Sequence, residues 1–124
     1  MQDPRPPQDT RPPQDTQQPQ DIQGFAAAYV GASVADDSER YFALFADDVV
    51  VHDDGRTHRG IEAVRRWRAE VPPVRYSVQE VTGTATACAA VAEIAGDFPG
   101  SPVTLRFTFE RDTAGKITLL DIRP

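Results

Sequence analysis

The stretch "FALFADDVVVHDD", Phe42 to Asp54, decides how the rest of the chain is read. Its middle holds consecutive β-branched residues between polar ends, the signature of a short buried strand. Tyr41, Phe42, Leu44 and Phe45 give a short apolar helical face before it, and Asp36 three residues ahead of Glu39 matches a capping box. A helix feeding directly into a strand is therefore expected here, with Asp47 and Asp48 at the junction. Four aspartates and two histidines cluster between Phe45 and Gly60, which raises the question of a site. Strand alternation answers part of it: Val49, Val51 and Asp53 share one face, and His52 points to the other.

Upstream, Ile22, Phe25, Ala26, Tyr29 and Val30 recur at helical spacing, so a first helix is predicted to begin at Ile22 and fade between Gly31 and Ala35. Residues 1–21 contrast sharply with it. "RPPQDT" occurs twice in tandem there, six of the 11 prolines fall in this segment, and Met1 is its only hydrophobic residue. Such a segment cannot build a core and is expected to be a disordered tail, leaving 22–124 as the domain. Pro4 and Pro7 make a single P-x-x-P match, a weak signal for a proline-recognising groove.

Downstream, Ile61, Val64, Trp67 and Val71 recur every three or four residues between arginines, and Pro72 and Pro73 end this third helix. The period then changes. "VRYSVQEV", "ATACAAVAEIA", "VTLRFTFER" and "KITLLDI" are strand candidates separated by Gly83, "GDFPGSP" and "DTAGK". The alanine-rich third piece has helical propensity, but its small alternating residues suit the inside of a strongly curved sheet. The expected order is helix, helix, strand, helix and four strands: an α+β cone in which three N-terminal helices cover one face of a curved antiparallel sheet and leave a pocket between.

Composition narrows the partners. The 124 residues suffice for one domain, and a formal net charge of −6 opposes binding to nucleic acid or to anionic membranes. The longest run lacking a charge, "VTGTATACAAVA", is far short of a membrane span, so a soluble chain is expected. A single cysteine, Cys88, and no apparent signal peptide favour the cytoplasm.

The element order, with "FALFADDVVVHDD", "RGIEAVRRW" and the ending "FERDTAGKITLLDIRP", resembles the nuclear transport factor 2-like superfamily, in particular its SnoaL-like and ketosteroid-isomerase-like members. The resemblance covers roughly residues 24–124. It implies the cone fold but not one activity, since isomerases, cyclases, dehydratases, hydrolases and non-catalytic members share it. In the isomerase-like branch the proton-moving carboxylate falls at the end of the strand after "[YF]ADD", which is Asp53 here, and an oxyanion-binding tyrosine of the first helix falls at Tyr29. Together they would abstract a proton next to a carbonyl in an apolar pocket, where carboxylates in general are stronger bases and an oriented hydroxyl stabilises an enolate.

Two departures accompany the match. Phe107 stands where that branch has a protonated aspartic acid as second oxyanion donor, and the turn between Asp53 and Gly60 is about two residues shorter than in that branch. Plainer readings also stand: Asp53 as a turn residue beside Asp54 and Gly55, Tyr29 as a core tyrosine, and the arginines of "RTHRGIEAVRRWR" as the wet face of the third helix. Candidates to line the pocket are Phe25, Phe45, Val51 and Trp67 from the first half of the chain. Tyr76, Phe107 and Phe109 join them from the sheet. No cofactor is expected. His52, Asp53, Asp54 and His58 carry ligand atoms but lack a recognised metal-site spacing, and His58 alone could carry a proton. The expected partners are an apolar small molecule and a second copy paired through the outer face of the fourth strand, where Thr104, Arg106, Thr108 and Glu110 alternate with apolar residues. Two functions remain open at this point, an acid/base enzyme of isomerase, cyclase or dehydratase type and a non-catalytic ligand-binding or dimerisation module.

Overall fold

A computed structural model describes residues 17–124, with side chains from Ile22 onward. Residues 1–16, which hold most of the expected tail, lie outside the described residues. The elements are α1 (Gln17–Ser33), α2 (Ser38–Phe42), β1 (Phe45–Asp53), β2 (Arg56–Arg59), α3 (Ile61–Glu70), β3 (Val74–Gly83), β4 (Ala87–Gly96), β5 (Val103–Arg111) and β6 (Ile117–Arg123). Helix α1 begins at Gln17 rather than Ile22. Pro19 does not prevent this, because the first-turn N–H groups have no acceptor within the helix.

The apolar stripe of α1 is buried at Ile22, Phe25, Ala26 and Tyr29, whereas Val30 is only half-buried and Ala32 faces the core in the next turn. Helix α2 is capped by Asp37, whose side chain accepts from the Glu39 N–H, and not by Asp36. This helix is shorter than expected. Phe45 therefore belongs to β1, and Asp47 and Asp48 are exposed strand residues instead of a junction. A run of aromatics fits a helical face and a strand end equally well, so periodicity alone placed this boundary too late.

Six strands form one sheet in the order β2-β1-β6-β5-β4-β3. The sheet curves, and register shifts at Phe45/Val50, Val78/Glu80 and Glu110/Arg111 supply local bends. Two features were not anticipated. The segment "DDGRTHRG" contains strand β2, which pairs antiparallel to β1 through Asp53↔Arg56 and Val50↔Arg59. Strand β1 also pairs parallel to β6, so the sheet is antiparallel except at that ladder. The alanine-rich segment is strand β4, with Cys88, Ala89, Ala90, Ala92 and Ile94 buried.

The core joins α1, α2 and α3 to the covered face of the sheet, with Val49, Val51, Val64, Ile117 and Leu120 fully buried. Gly83 ends β3 with φ +108, a conformation that L side chains rarely adopt. A Cβ there would collide with the Ala87 carbonyl oxygen and lie 2.7 Å from Cys88 Cα. Gly83→Ala is accordingly expected to destabilise the domain by about 1–3 kcal/mol, read as a lower urea midpoint with an unchanged slope. An unchanged midpoint would show that the β3–β4 connection does not require this backbone.

Candidate functional site

A cleft runs between α3 and the covered face of the sheet, and its two parts share several walls. The inner part, about 90 Å³, is bordered by Tyr29, Asp53, Trp67, Arg68, Tyr76, Phe107 and neighbouring aliphatic residues. The outer part, about 410 Å³, adds His58, Pro72, Phe98 and Val103 and again touches Asp53 and Trp67. Asp53 thus stands where the two meet.

Asp53 is the last residue of β1, and alternation turns it to the side of Val49 and Val51. Trp67, on the buried stripe of α3, donates its Nε1–H to Asp53 Oδ2 at 2.9 Å. This charge-assisted bond holds one carboxylate oxygen in place. Gly60, with φ +85, is the N-cap of α3 directly after β2 and donates its N–H to the Val49 carbonyl at 2.7 Å. The short turn between β1 and β2 therefore sets the distance from Asp53 to Trp67.

Tyr29 enters from α1 and is 3 % exposed. Its hydroxyl lies 2.9 Å from that of Tyr41 on α2. Burial, reinforced by Tyr41 and Tyr76, raises the Tyr29 pKa well above the ordinary tyrosine value, and burial raises that of Tyr41 as well. Both rings stay protonated near neutrality, so the pair offers hydrogen-bond donors and not phenolates.

Arg68 departs from the solvent face expected for the arginines of α3. Its guanidinium lies 4.2 Å over the Tyr41 ring, Nη2 donates to the Ser33 carbonyl at 2.9 Å, and the side chain borders the inner cavity. Burial opposes its charge, but the surrounding oxygens of Tyr41, Tyr76 and Tyr29 outweigh it and the pKa is raised. Arg65 stays at the surface, where it reaches a neighbouring helix. It grips Glu39 of α2 through two hydrogen bonds of 2.8 and 3.1 Å. Arg66 is exposed, as expected for the wet face. The one available signal was position: Arg68 follows Trp67 in the last turn before the prolines, where a helix end meets other elements.

The remaining candidates divide between cavity and core. Trp67, Tyr76 and Phe107 border the inner cavity beside Tyr29 and Asp53. Phe109 packs against Tyr29 and Phe25, with ring centroids 5.0 and 4.9 Å away, and borders neither part of the cleft. Phe25 carries the Arg111 guanidinium 4.0 Å over its ring, Phe45 packs on Tyr41, and Val51 is fully buried. His52 bonds through Nδ1 with Thr57 Oγ1 at 3.0 Å, away from the inner cavity. His58 lies on β2 with its ring 5.8 Å from that of Trp67, at the outer cleft. Among the described residues, no three His, Cys, Asp or Glu side chains gather as a metal site, and no helix is long and apolar enough to cross a membrane.

Helices laid over one face of a curved six-stranded sheet, with a cleft that passes a strand-end carboxylate and reaches a buried tyrosine, define a nuclear transport factor 2-like α+β cone. The SnoaL-like domain profile matches residues 26–119, and the chain belongs to that family. Among solved structures it is similar to a candidate polyketide cyclase from Sinorhizobium meliloti, at 31 % identity and TM-score 0.75 over 86 % of this chain and 99 % of that one. It is similar in fold to the Δ5-3-ketosteroid isomerase of a Mycobacterium species, at 23 % identity and TM-score 0.70 over 84 % and 92 % of the two chains. A SnoaL-like protein of unknown function from Burkholderia thailandensis shares the fold at 14 % identity and TM-score 0.71, over 84 % and 94 %. No curated protein matches the chain significantly.

Proposed function

We propose that the domain binds an apolar carbonyl compound in the cleft and moves a proton at the carbon next to that carbonyl. The observation that carries this reading is the shared cavity: Asp53 and Tyr29 border the same inner space although they come from β1 and α1. Asp53 takes the α-proton, the C–H electrons pass into the carbonyl to form an enolate, and Tyr29 donates a hydrogen bond to the developing oxyanion. Return of the proton by Asp53 to a conjugated carbon completes an isomerisation, whereas attack of the enolate on a second carbonyl of the same molecule, whose alkoxide oxygen takes the proton from Asp53, gives a cyclisation. Similarity to the candidate cyclase at 31 % identity supports the latter as a reaction type. The bond from Trp67 keeps Asp53 Oδ2 fixed, which supports a preorganised base.

A second reading, ligand binding without turnover, draws support from two observations. The inner cavity has only about 90 Å³, and Phe107 supplies no second oxyanion donor. In both readings a homodimer forms through the outer face of the sheet, where Thr104, Arg106 and Glu110 of β5 are exposed. The buried free thiol of Cys88 suits a reducing cytoplasm.

Deuterium exchange separates the two. The full chain, incubated in D₂O with small aryl ketones and oxo acids and followed by proton NMR, is expected to wash out α-protons faster than buffer does. Binding without any acceleration across such a panel would overturn the enzymatic reading and leave the binding module.

A further inference from the structure

We infer that the inner cavity takes an anionic oxygen head group, with Arg68 as the residue that selects it, so that the ligand is a carboxylate with an apolar body. This rests on the cleft being the ligand site, and not on Asp53 acting as a base. Three observations support it.

The first is the charge itself. Arg68 borders the inner cavity and, among the described residues, forms no ion pair; those present join Arg65 to Glu39 and Arg123 to Asp121. Ring faces, tyrosine oxygens and a backbone carbonyl support the charge but do not neutralise it, so this half-buried guanidinium remains open to an anion entering the cavity. Asp53, the other charge on the wall, is bound by Trp67 and does not serve as that partner. The second is orientation. Stacking on Tyr41, the bond to the Ser33 carbonyl and a contact with the Tyr76 side chain fix the plane of the guanidinium, yet they leave several of its five N–H donors unoccupied. Rigid, unused donors at a cavity wall are suited to two-point recognition of a carboxylate.

The third is size. The inner space of about 90 Å³ equals roughly three water volumes, enough for a carboxylate and too little for a fused ring system. The outer part of about 410 Å³, walled by Trp67, Val71, Phe98 and Leu105, accommodates an aryl or alkyl body. An acidic head placed inward and an apolar body placed outward therefore match the two halves of the cleft. In an oxo acid so held, the carbons next to the head group pass Asp53, which stands between the halves.

Hydrocinnamate and its uncharged amide differ only in the head group and serve as probes. Calorimetric titration of the full chain is expected to show hydrocinnamate binding about tenfold more tightly than hydrocinnamamide. Arg68→Gln is expected to erase that preference, Arg68→Lys to retain part of it, and Asp53→Asn to leave it in place. Equal affinity for the two probes, no binding of the acid, or a folded Arg68→Gln that keeps the preference would each overturn the inference. Should Arg68→Gln not fold, the wild-type Arg68 side-chain NMR resonances decide: a shift with the acid and not the amide supports the assignment, and no shift sinks it. Exchange chemistry fails independently, because loss of turnover with the acid preference intact removes the enzymatic reading alone.

Discussion

Asp53→Asn is expected to slow enzyme-catalysed α-proton exchange by about 10²–10⁴-fold, the range that a positioned general base contributes. The substitution is nearly isosteric and keeps an oxygen that can accept the Trp67 Nε1–H, now 2.9 Å from Oδ2. Folding and ligand affinity should therefore change little while the rate collapses. The measurement is NMR exchange at saturating ligand, beside circular dichroism and a urea titration of the same preparation. A variant that exchanges as fast as the wild type would remove Asp53 from the chemistry, whatever its place in the cavity. A variant that loses rate and stability together would instead give it a structural role, with Trp67 as the partner it supports.

Phe109→Ala is expected to be the most damaging core truncation, at about 3–5 kcal/mol of stability. Phe109 is 1 % exposed on β5, meets the edge of Phe25 at 4.9 Å and lies 5.0 Å from the Tyr29 ring. Removing its ring opens a void under α1 and leaves Phe107, 6.1 Å from the Tyr29 ring, as the remaining phenylalanine of β5 beneath the helix. Urea denaturation should show the loss as a lower midpoint, and the Tyr29–Tyr41 hydroxyl contact should loosen with it. A loss below about 1 kcal/mol would mean that α1 collapses into the space, so that the helix is not held in the register described.

Local periodicity made most of the fold legible. The stripes of α1 and α3, the alternation of β5 and the proline stop after α3 are short-range patterns, and each marks its element within a few residues. The parts that escaped depend on distant partners. Phe45 fits a helix or a strand until β6 is there to pair with it. Strand β2 has only four residues, all polar, in a segment whose glycines and aspartate resemble a turn. The parallel union of β1 with β6 joins residues about seventy apart, and no local pattern encodes it.

The same division applies to the site. Asp53 and Tyr29 could be named through the resemblance, and alternation and helical spacing turn them, with Trp67 and Phe107, towards the core. Arg68 could not, because its type and neighbours indicate solvent, and only the approach of α1 and α2 to the end of α3 buries it. The Trp67 bond to Asp53 likewise spans fourteen positions and exists only once α3 has docked.

The place of β6 between β1 and β5 has a consequence for how the domain comes into being. During synthesis the β1–β2 hairpin and the β3–β4–β5 meander emerge first, as two sheets with open edges and no shared ladder. Only the segment from Ile117 to Arg123 joins them, supplying Ile117 and Leu120 to the core as it does so. A nascent chain stalled before that point exposes the apolar faces of both pieces and the free edge of β5, a state prone to capture by chaperones or by its own copies. Closing the sheet therefore requires pairings between residues about seventy positions apart, and the core forms only once β6 is available to bridge the two pieces.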